Sequence, residues 1–401
     1  MRYIIIFFTI ITLSISNECS GDVNIDNSIN IQDIILISNH TLNLNSLEDE
    51  GLINADINED GIINILDIIS VVNLILNNLV FCEDSIIDLS LDWEIEEDLS
   101  YFDYYQLENI LNTEISELSS IEGIVIIHKG KIISENYFND SSISDTYNIQ
   151  SVTKSFISTL IGQAVDRGIL NFEDTLNITF GYPDIHLENL TLENLLTMSS
   201  GYSDYYVYPE WIYVDLNELV TMPVINQGEF WYNNSSCHLN AHIIYETTGQ
   251  TPIEFANSNL FPFLGIINPF WLDGNNDIND GSSSIWLTLR EMVKLGQLYN
   301  QNGYASSNNQ IISSEYIDKA TSNLIETGWS YYGFENLDGY GYLWWIPQEG
   351  YLAYGYGGQF IAVFPERDLV IGTHSETFSE TAYQIELLNI IYNQIAPLFN
   401  N

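Results

Sequence analysis

Residues 22–33 read DVNIDNSINIQD and residues 56–67 read DINEDGIINILD. Both fit the pattern D-x-N-x-D-x-x-x-N-x-x-D, and they begin at Asp22 and Asp56, 34 positions apart. This repeat constrains the fold more tightly than any other feature of the chain. Side-chain oxygens at positions 1, 3 and 5 of a sharply turning loop point inward. Position 7 offers a backbone carbonyl, position 9 an oxygen directly or through water, and position 12 closes the ring from the following helix. That is the arrangement a hard cation such as calcium takes. One candidate site is Asp22, Asn24, Asp26, Ser28, Asn30 and Asp33. The other is Asp56, Asn58, Asp60, Ile62, Asn64 and Asp67. Each loop runs into an apolar stretch, IILIS from Ile34 and IISVVNLIL from Ile68, so two loop–helix halves are expected.

Over about residues 20–80 the segment resembles a dockerin domain, the duplicated calcium-loop module of secreted bacterial enzymes. The resemblance implies a small all-α unit, placed here at 17–82, holding two structural calcium ions. It also implies a cohesin-like or cell-surface docking partner. Two departures stand out. Asn27 takes the place of the turn glycine, a substitution asparagine tolerates better than most residues. Positions 10 and 11, often a Ser/Thr pair in cellulosomal dockerins, are Ile31–Gln32 and Ile65–Leu66. A calcium-stabilised module with a different docking role is the plainer alternative.

Residues 1–16, MRYIIIFFTIITLSIS, have one cation, a short apolar run and small residues near the end. They read as a secretory signal peptide cleaved after Ser16. The run is shorter than the ~20 residues a membrane span needs. The protein is therefore expected outside the cytoplasm: extracellular, periplasmic or associated with the cell surface. Charge narrows its partners further. Nine Lys+Arg stand against 55 Asp+Glu, and none of the nine lies between Arg2 and Lys129. No basic stripe for nucleic acid or anionic lipid can be assembled from so few. With 46% hydrophobic residues the chain nevertheless has material for a large core. Residues 83–103 are acidic and read as a linker.

From Tyr104 the pattern changes. YQLENILNTEISEL has helical periodicity, and GIVIIHKGKIISENYF reads as two strands with a turn at 128–130. Near the other end, YLAYGYGGQFIAVFPERDLVIGTHS reads as antiparallel strands, followed by a helix from about Glu380 to Ile395. Between them lie helical patches and long loops. The first of these is QSVTKSFISTLIGQAVDRG, in which Ser151 precedes Lys154 by three. At the start of a helix this spacing sets the lysine amine beside the serine hydroxyl. Serine needs a base before it can attack a carbonyl, and a buried lysine can be that base. His238 and His242 have i, i+4 spacing that would suit a metal, but packing residues are the default reading. Trp211, Trp231, Trp329 and Trp344–Trp345 could wall a cleft or fill a core.

The order of segments SVTKSFISTLIGQAVDRGIL, LTLENLLTMSSGYS, WLTLREMVKLGQLYNQNG, YGYLWWI and YGYGGQFIAVFPERDLVIGTHS, over about 100–398, resembles the serine β-lactamase and penicillin-binding-protein superfamily. Within it, the resemblance is to class C-like esterases, D-amino peptidases and 6-aminohexanoate-dimer hydrolases. It implies an α+β fold over 104–401, an antiparallel sheet flanked by N- and C-terminal helices plus a helical subdomain. Ser151 would be the nucleophile, with Lys154 and Tyr232 sharing proton transfer. Asn234, third in Tyr232-Asn233-Asn234, would bind substrate. Tyr356, Gly357 and Gly358 would form the third motif along the substrate. The backbone N–H groups of Ser151 and Gln359 would make the oxyanion hole. The third motif usually begins with a lysine that contacts a substrate carboxylate, and Tyr356 cannot do so. An ester or amide without that carboxylate is favoured over a β-lactam or D-amino peptide. No catalytic cofactor is implied. A catalytically idle binding protein on the same fold is the alternative from another class.

Cys19 and Cys82 bracket the calcium-loop module, which leaves Cys237 over. In an oxidising compartment the pair is expected to close a disulfide. A thiol titration of the denatured secreted protein should then find one free thiol; three would refute the bridge.

Overall fold

The computed structural model describes residues 20–24, 29–42, 44–47, 49–58, 60–76, 86–181, 189–203, 210–328 and 337–399. The signal segment, Cys19, Asp26, Asn27, Ser28, Cys82 and Trp329 lie outside the described residues. The chain divides into two units, Met1–Ser85 and Ile86–Asn401.

The first unit contains helices α1 (Ile31–Thr41), α2 (Asp49–Asn54) and α3 (Ile65–Leu76). Its core includes Val23, Ile29, Ile37, Ala55 and Val71. Ile37 and Val71 occupy the same place in the two repeats and both are fully buried, so duplication of the sequence is duplication of the core. The loops are braced alike. Asp33 Oδ1 accepts from the N–H groups of Val23 and Asn24 at 2.7 and 3.2 Å, and its Oδ2 accepts from Asn30 N at 2.8 Å. Asp67 repeats the pattern with Ile57, Asn58 and Asn64 at 3.1, 3.4 and 2.8 Å. Each carboxylate thus caps its helix and ties both ends of its loop.

The second unit is built on an antiparallel sheet. Helix α4 (Tyr104–Thr113) leads into β1 (Ile121–His128) and β2 (Lys131–Tyr137). Short strands β3 (Tyr147–Asn148), β4 (Phe270–Trp271) and β5 (Ile285–Leu287) form a separate sheet in the order β3-β5-β4. Strands β6 (Tyr304–Ser306) and β7 (Asn309–Gln310) make a hairpin. The remaining strands are β8 (Ile325–Glu326), β9 (Gly339–Tyr340), β10 (Trp345–Ile346), β11 (Tyr351–Gly355), β12 (Gln359–Phe364) and β13 (Leu369–Ser375). Among the described residues the main sheet has the order β2-β1-β13-β12-β11-β10-β9-β8. Strand β1, from the start of this unit, pairs with β13 near its end, with Ile126 opposite Ile371. These central strands are buried on both faces, which is why they read as continuous apolar runs.

Helix α5 (Thr153–Asp166) opens the helical region. It is followed by α6 (Leu176–Phe180), α7 (Leu192–Leu196), α8 (Leu216–Val220), α9 (Asn234–Thr248) and α10 (Pro252–Asn259). Helix α11 (Leu289–Asn300) returns to pack on β12 and β13. Then come α12 (Ser314–Ala320) and the C-terminal α13 (Thr381–Ile390), which runs on as a wider turn to Ile395.

The acidic segment expected as a linker is, from residue 86, a strap bonded to this unit. Lys294 Nζ donates to the carbonyls of Leu89 and Leu91 at 2.8 and 2.7 Å. Trp93 Nε1 donates to Arg290 O at 3.0 Å, and Glu96 N to Ile132 O at 2.9 Å. Composition misleads here because the strap is held through its backbone and Trp93, and its carboxylates Asp92, Glu94 and Glu96 pair with Arg290 and Lys131.

Three histidines, His238, His242 and His374, are buried with Nε2 unpartnered. Burial pushes each of them down to about 3. In the unfolded chain they titrate near 6.5. Between those values the unfolded state binds more protons, so stability is full above about pH 6.5 and falls with decreasing pH. Each histidine should contribute a slope of about 1.4 kcal/mol per pH unit. Urea unfolding of the full chain across pH 7.5 to 4 should show the loss, and His374→Asn should make the slope shallower by one histidine's share. A wild-type profile without slope contradicts the buried neutral histidines.

Candidate active site

Ser151 lies in a single 3-10 turn, Gln150–Val152, and Lys154 is the second residue of α5. The turn is anchored by the small sheet. Tyr147 pairs with Leu287 and Asn148 with Trp286, while Ile149 N donates to Ile285 O at 2.9 Å. Gln150, immediately before Ser151, has φ 49°. A non-glycine residue held there costs on the order of 1–3 kcal/mol. The Asn148 side chain steadies it by accepting from Gln150 N at 2.9 Å.

Lys154 is buried, and its Nζ meets three oxygens: Ser151 Oγ at 2.9 Å, Asn234 Oδ1 at 2.8 Å and Ser282 O at 2.7 Å. Two of these can only accept. They hold two N–H groups of Lys154 in either protonation state. The third direction faces Ser151 Oγ. An ammonium would donate along it, and a neutral amine would aim its lone pair along it. The lysine is thus aligned to exchange one proton with the serine and no other partner among these three.

Tyr232 sits beside this pair, with Lys154 Nζ 4.9 Å from its ring centroid. Its ring stacks on Trp345 at 5.7 Å and an interplanar angle of 21°. The next residue, Asn233, caps α9. Its Oδ1 accepts from Ser236 N at 2.7 Å and its Nδ2 donates to Tyr202 O at 2.6 Å. That cap sets the helix start so that Asn234 reaches Lys154. The expected trio of Ser151, Lys154 and Tyr232, with Asn234, is therefore assembled at one place.

Tyr356, Gly357 and Gly358 form the turn between β11 and β12. Gly357 and Gly358 have φ 91° and 99°, open to glycine and strained for other residues. The turn is pinned from behind. Gly357 O accepts from Ser379 Oγ at 2.7 Å, and Gly358 O accepts from Thr373 Oγ1 at 2.8 Å and Ser375 Oγ at 3.2 Å. Gly355 lies so near the nucleophile turn that a Cβ there would stand 2.5 Å from Ile149 O.

Gln359, expected to supply an oxyanion N–H, lies behind this surface. It is fully buried, pairs with Gly355, and its Nε2 donates to Ser375 O at 2.5 Å. It does not line the cleft, whereas Tyr356 does. Of the third motif, Tyr356, expected along the substrate, is the residue that lines the cleft.

The cleft has a volume of about 670 Å³, and Ser151 lies on its wall. Aromatic side chains dominate it: Trp211, Tyr232, Trp286, Trp345, Tyr354, Tyr356 and Phe378. Among the described residues that line it, none is charged. Of the tryptophans singled out in the sequence, Trp211 and Trp345 are here, Trp344 is core, and Trp231 is exposed elsewhere. Trp286 and Phe378 carried no sequence signal, since nothing in their local pattern points to a cleft. His238 and His242 are buried packing residues, ring centroids 4.9 Å apart. Among the described residues no group of three or more His, Cys, Asp or Glu converges on a metal position.

The family model described as Beta-lactamase matches residues 114–390, and the dockerin type I domain model matches residues 20–76. The chain belongs to the Beta-lactamase family and carries an N-terminal dockerin module. An uncharacterized protein of Alkalihalophilus pseudofirmus is 24% identical over 311 residues, 65% of this chain and 86% of that protein. A Bacteroides dorei protein assigned as a β-lactamase has a similar fold. The TM-score is 0.64 at 16% identity, over 74% of this chain and 99% of that one. A Bacillus anthracis protein assigned as a 6-aminohexanoate-dimer hydrolase gives a TM-score of 0.62 at 20% identity, over 78% and 88%.

Proposed function

We propose that the protein is a secreted serine hydrolase that cleaves an uncharged ester or amide through an acyl-enzyme on Ser151. The observation that carries this reading is the trio of oxygens around Lys154 Nζ, one of them the Ser151 hydroxyl. Ser151 Oγ attacks the substrate carbonyl, and its proton passes to the coupled Lys154–Tyr232 pair. The C–O or C–N bond to the leaving group breaks, and the leaving group takes up that proton. Water then attacks the Ser151 ester, gives its proton to the same pair, and the acid departs as Ser151 recovers its hydrogen.

The carbonyl oxygen turns negative in both steps and needs preorganised donors. The N–H of Ser151 is one. For the other we assign the N–H of Tyr356, because Tyr356 lines the cleft and follows Gly355 against the nucleophile turn. This replaces Gln359. The aromatic, uncharged wall favours an apolar acyl or leaving group. A cation would favour recognition of a carboxylate, and none is among the described residues that line the cleft, so the β-lactamase and D-amino peptidase readings are disfavoured.

For the dockerin module we propose two structural calcium ions. The donor set suits a hard cation, being oxygen throughout. Asp22, Asn24, Asp26, Ser28, Asn30 and Asp33 would hold one; Asp56, Asn58, Asp60, Asn64, Asp67 and the carbonyl of Ile62 the other. The repeated bracing by Asp33 and Asp67 supports the assignment. The ions stabilise the module and supply nothing to the hydrolysis. A cohesin-like surface is the proposed partner, and secretion follows from residues 1–16.

A fluorophosphonate probe should label wild type, and Ser151→Ala should stay blank; equally weak labelling of both would favour the idle binding protein. Turnover of a p-nitrophenyl ester should fall about 10²–10³-fold in kcat for Tyr356→Pro, which lacks the N–H, and far less for Tyr356→Ala. Equal rates in these two variants would remove Tyr356 from the oxyanion hole. Rapid nitrocefin hydrolysis would restore the β-lactamase reading. Chelation with EGTA should expose residues 17–82 to protease while Ser151 labelling persists; unchanged protease resistance would count against the calcium ions.

A further inference from the structure

Asp280 is fully buried, and its carboxylate accepts five hydrogen bonds. Oδ1 accepts from Trp211 Nε1 at 3.1 Å, Ser282 N at 2.9 Å and Ser282 Oγ at 2.8 Å. Oδ2 accepts from Ser283 Oγ at 2.7 Å and Ser284 Oγ at 3.1 Å. An ionised carboxylate is an acceptor only, with about four lone-pair sites, and every partner here is a donor.

These bonds shape the segment that faces Ser151. Ser282 O receives Lys154 Nζ at 2.7 Å, Ser283 lines the cleft, and Ser284 is held at φ 77°. Trp211, bonded to the same carboxylate, is part of the cleft wall. The segment is also clamped to α9, the helix that supplies Asn234. Gly281 N donates to His238 Nδ1 at 3.1 Å, and Cys237 Sγ donates to Gly281 O at 3.4 Å. A Cβ on Gly281 would stand 3.0 Å from Ala241 Cβ, so only a bare backbone fits this close. One residue, Ser282, thus joins a buried carboxyl group on its N–H side to a buried lysine amine on its C=O side.

We infer that Asp280 is a positioning residue for acylation: it sets the Ser282 carbonyl that holds Lys154 and acts as the buried counter-charge of the Lys154–Tyr232 pair. This rests on the reading of Ser151 and Lys154 as the acylating pair. A negative charge nearby makes the pair harder to deprotonate. Asp280→Asn keeps the shape, removes the charge, and turns an N–H toward donors.

The test is the rate of Ser151 phosphonylation by a fluorophosphonate, measured against pH and probe concentration in the full chain. Asp280→Asn should lower the maximal rate constant about 10²-fold, as expected for a small misplacement of the reacting groups. Probe affinity should stay within about threefold of wild type. The acid limb of the profile should move to lower pH. A merely structural role would reduce the rate without moving that limb, and this result would overturn the inference, as would a wild-type rate and profile. If Asp280→Asn does not fold, Ser282→Ala with Ser284→Ala leaves the charge in place and loosens the segment. That variant should acylate slowly with its acid limb unmoved; a wild-type rate would overturn the inference. Wild type that is not labelled at all would instead sink the hydrolase reading itself.

Discussion

One buried lysine amine is the junction on which the candidate site depends. Lys154 reaches Ser151 on its own turn, Asn234 at the start of α9, and the Ser282 carbonyl on the segment before β5. These parts are remote in sequence. Burying a cation is costly unless each of its protons finds an acceptor. Here the acceptors come from different elements, so the cost of burial is offset only when all of them are in place. The same arrangement that satisfies the lysine aligns it with the serine.

Much of the surrounding structure serves to keep that junction still. The small sheet pairs the strand before Ser151 with the strand after the Ser282 segment. Asn233 fixes the start of α9, and Asp280 fixes the opposing backbone. Side chains of β13 and the following loop pin the Gly357–Gly358 turn. The strained residues, Gln150 and Ser284, lie at these contacts. Strain persists where neighbours over-determine the backbone, and both positions are held by several hydrogen bonds.

The cleft and the rest of the protein contrast in charge. The chain carries a formal charge of −46, yet none of the described residues lining the cleft is charged. A field of that sign disfavours the approach of anions, and the cleft offers no cation to reward one. Both effects weigh against a carboxylate-bearing substrate. This agrees with the replacement of the usual third-motif lysine by Tyr356, and it adds a reason that lies beyond the motif.

Local pattern made several parts legible. The calcium loops, the Ser151–Lys154 spacing, the Tyr232–Asn234 run and the apolar strands at both ends of the second unit depend on short-range periodicity or on fixed spacings. The parts that were missed depend on which distant residues meet. Gln359 looked like the residue whose backbone meets the substrate, but its side chain is buried and Tyr356 is the residue of this motif that lines the cleft. Residues 86–103 looked like a linker because their charges were visible and their backbone partners were not. Asp280 looked like one acid among 55 until five donors were found around it. By itself, then, the sequence determined the two-part architecture and the candidate side chains for acyl transfer, since both are written in local spacing. Only the tertiary structure decided which residue of the third motif lines the cleft, which aromatics wall it, and which buried acid braces the segment that holds the lysine, because each of these requires chain segments separated by tens to hundreds of residues to come into contact.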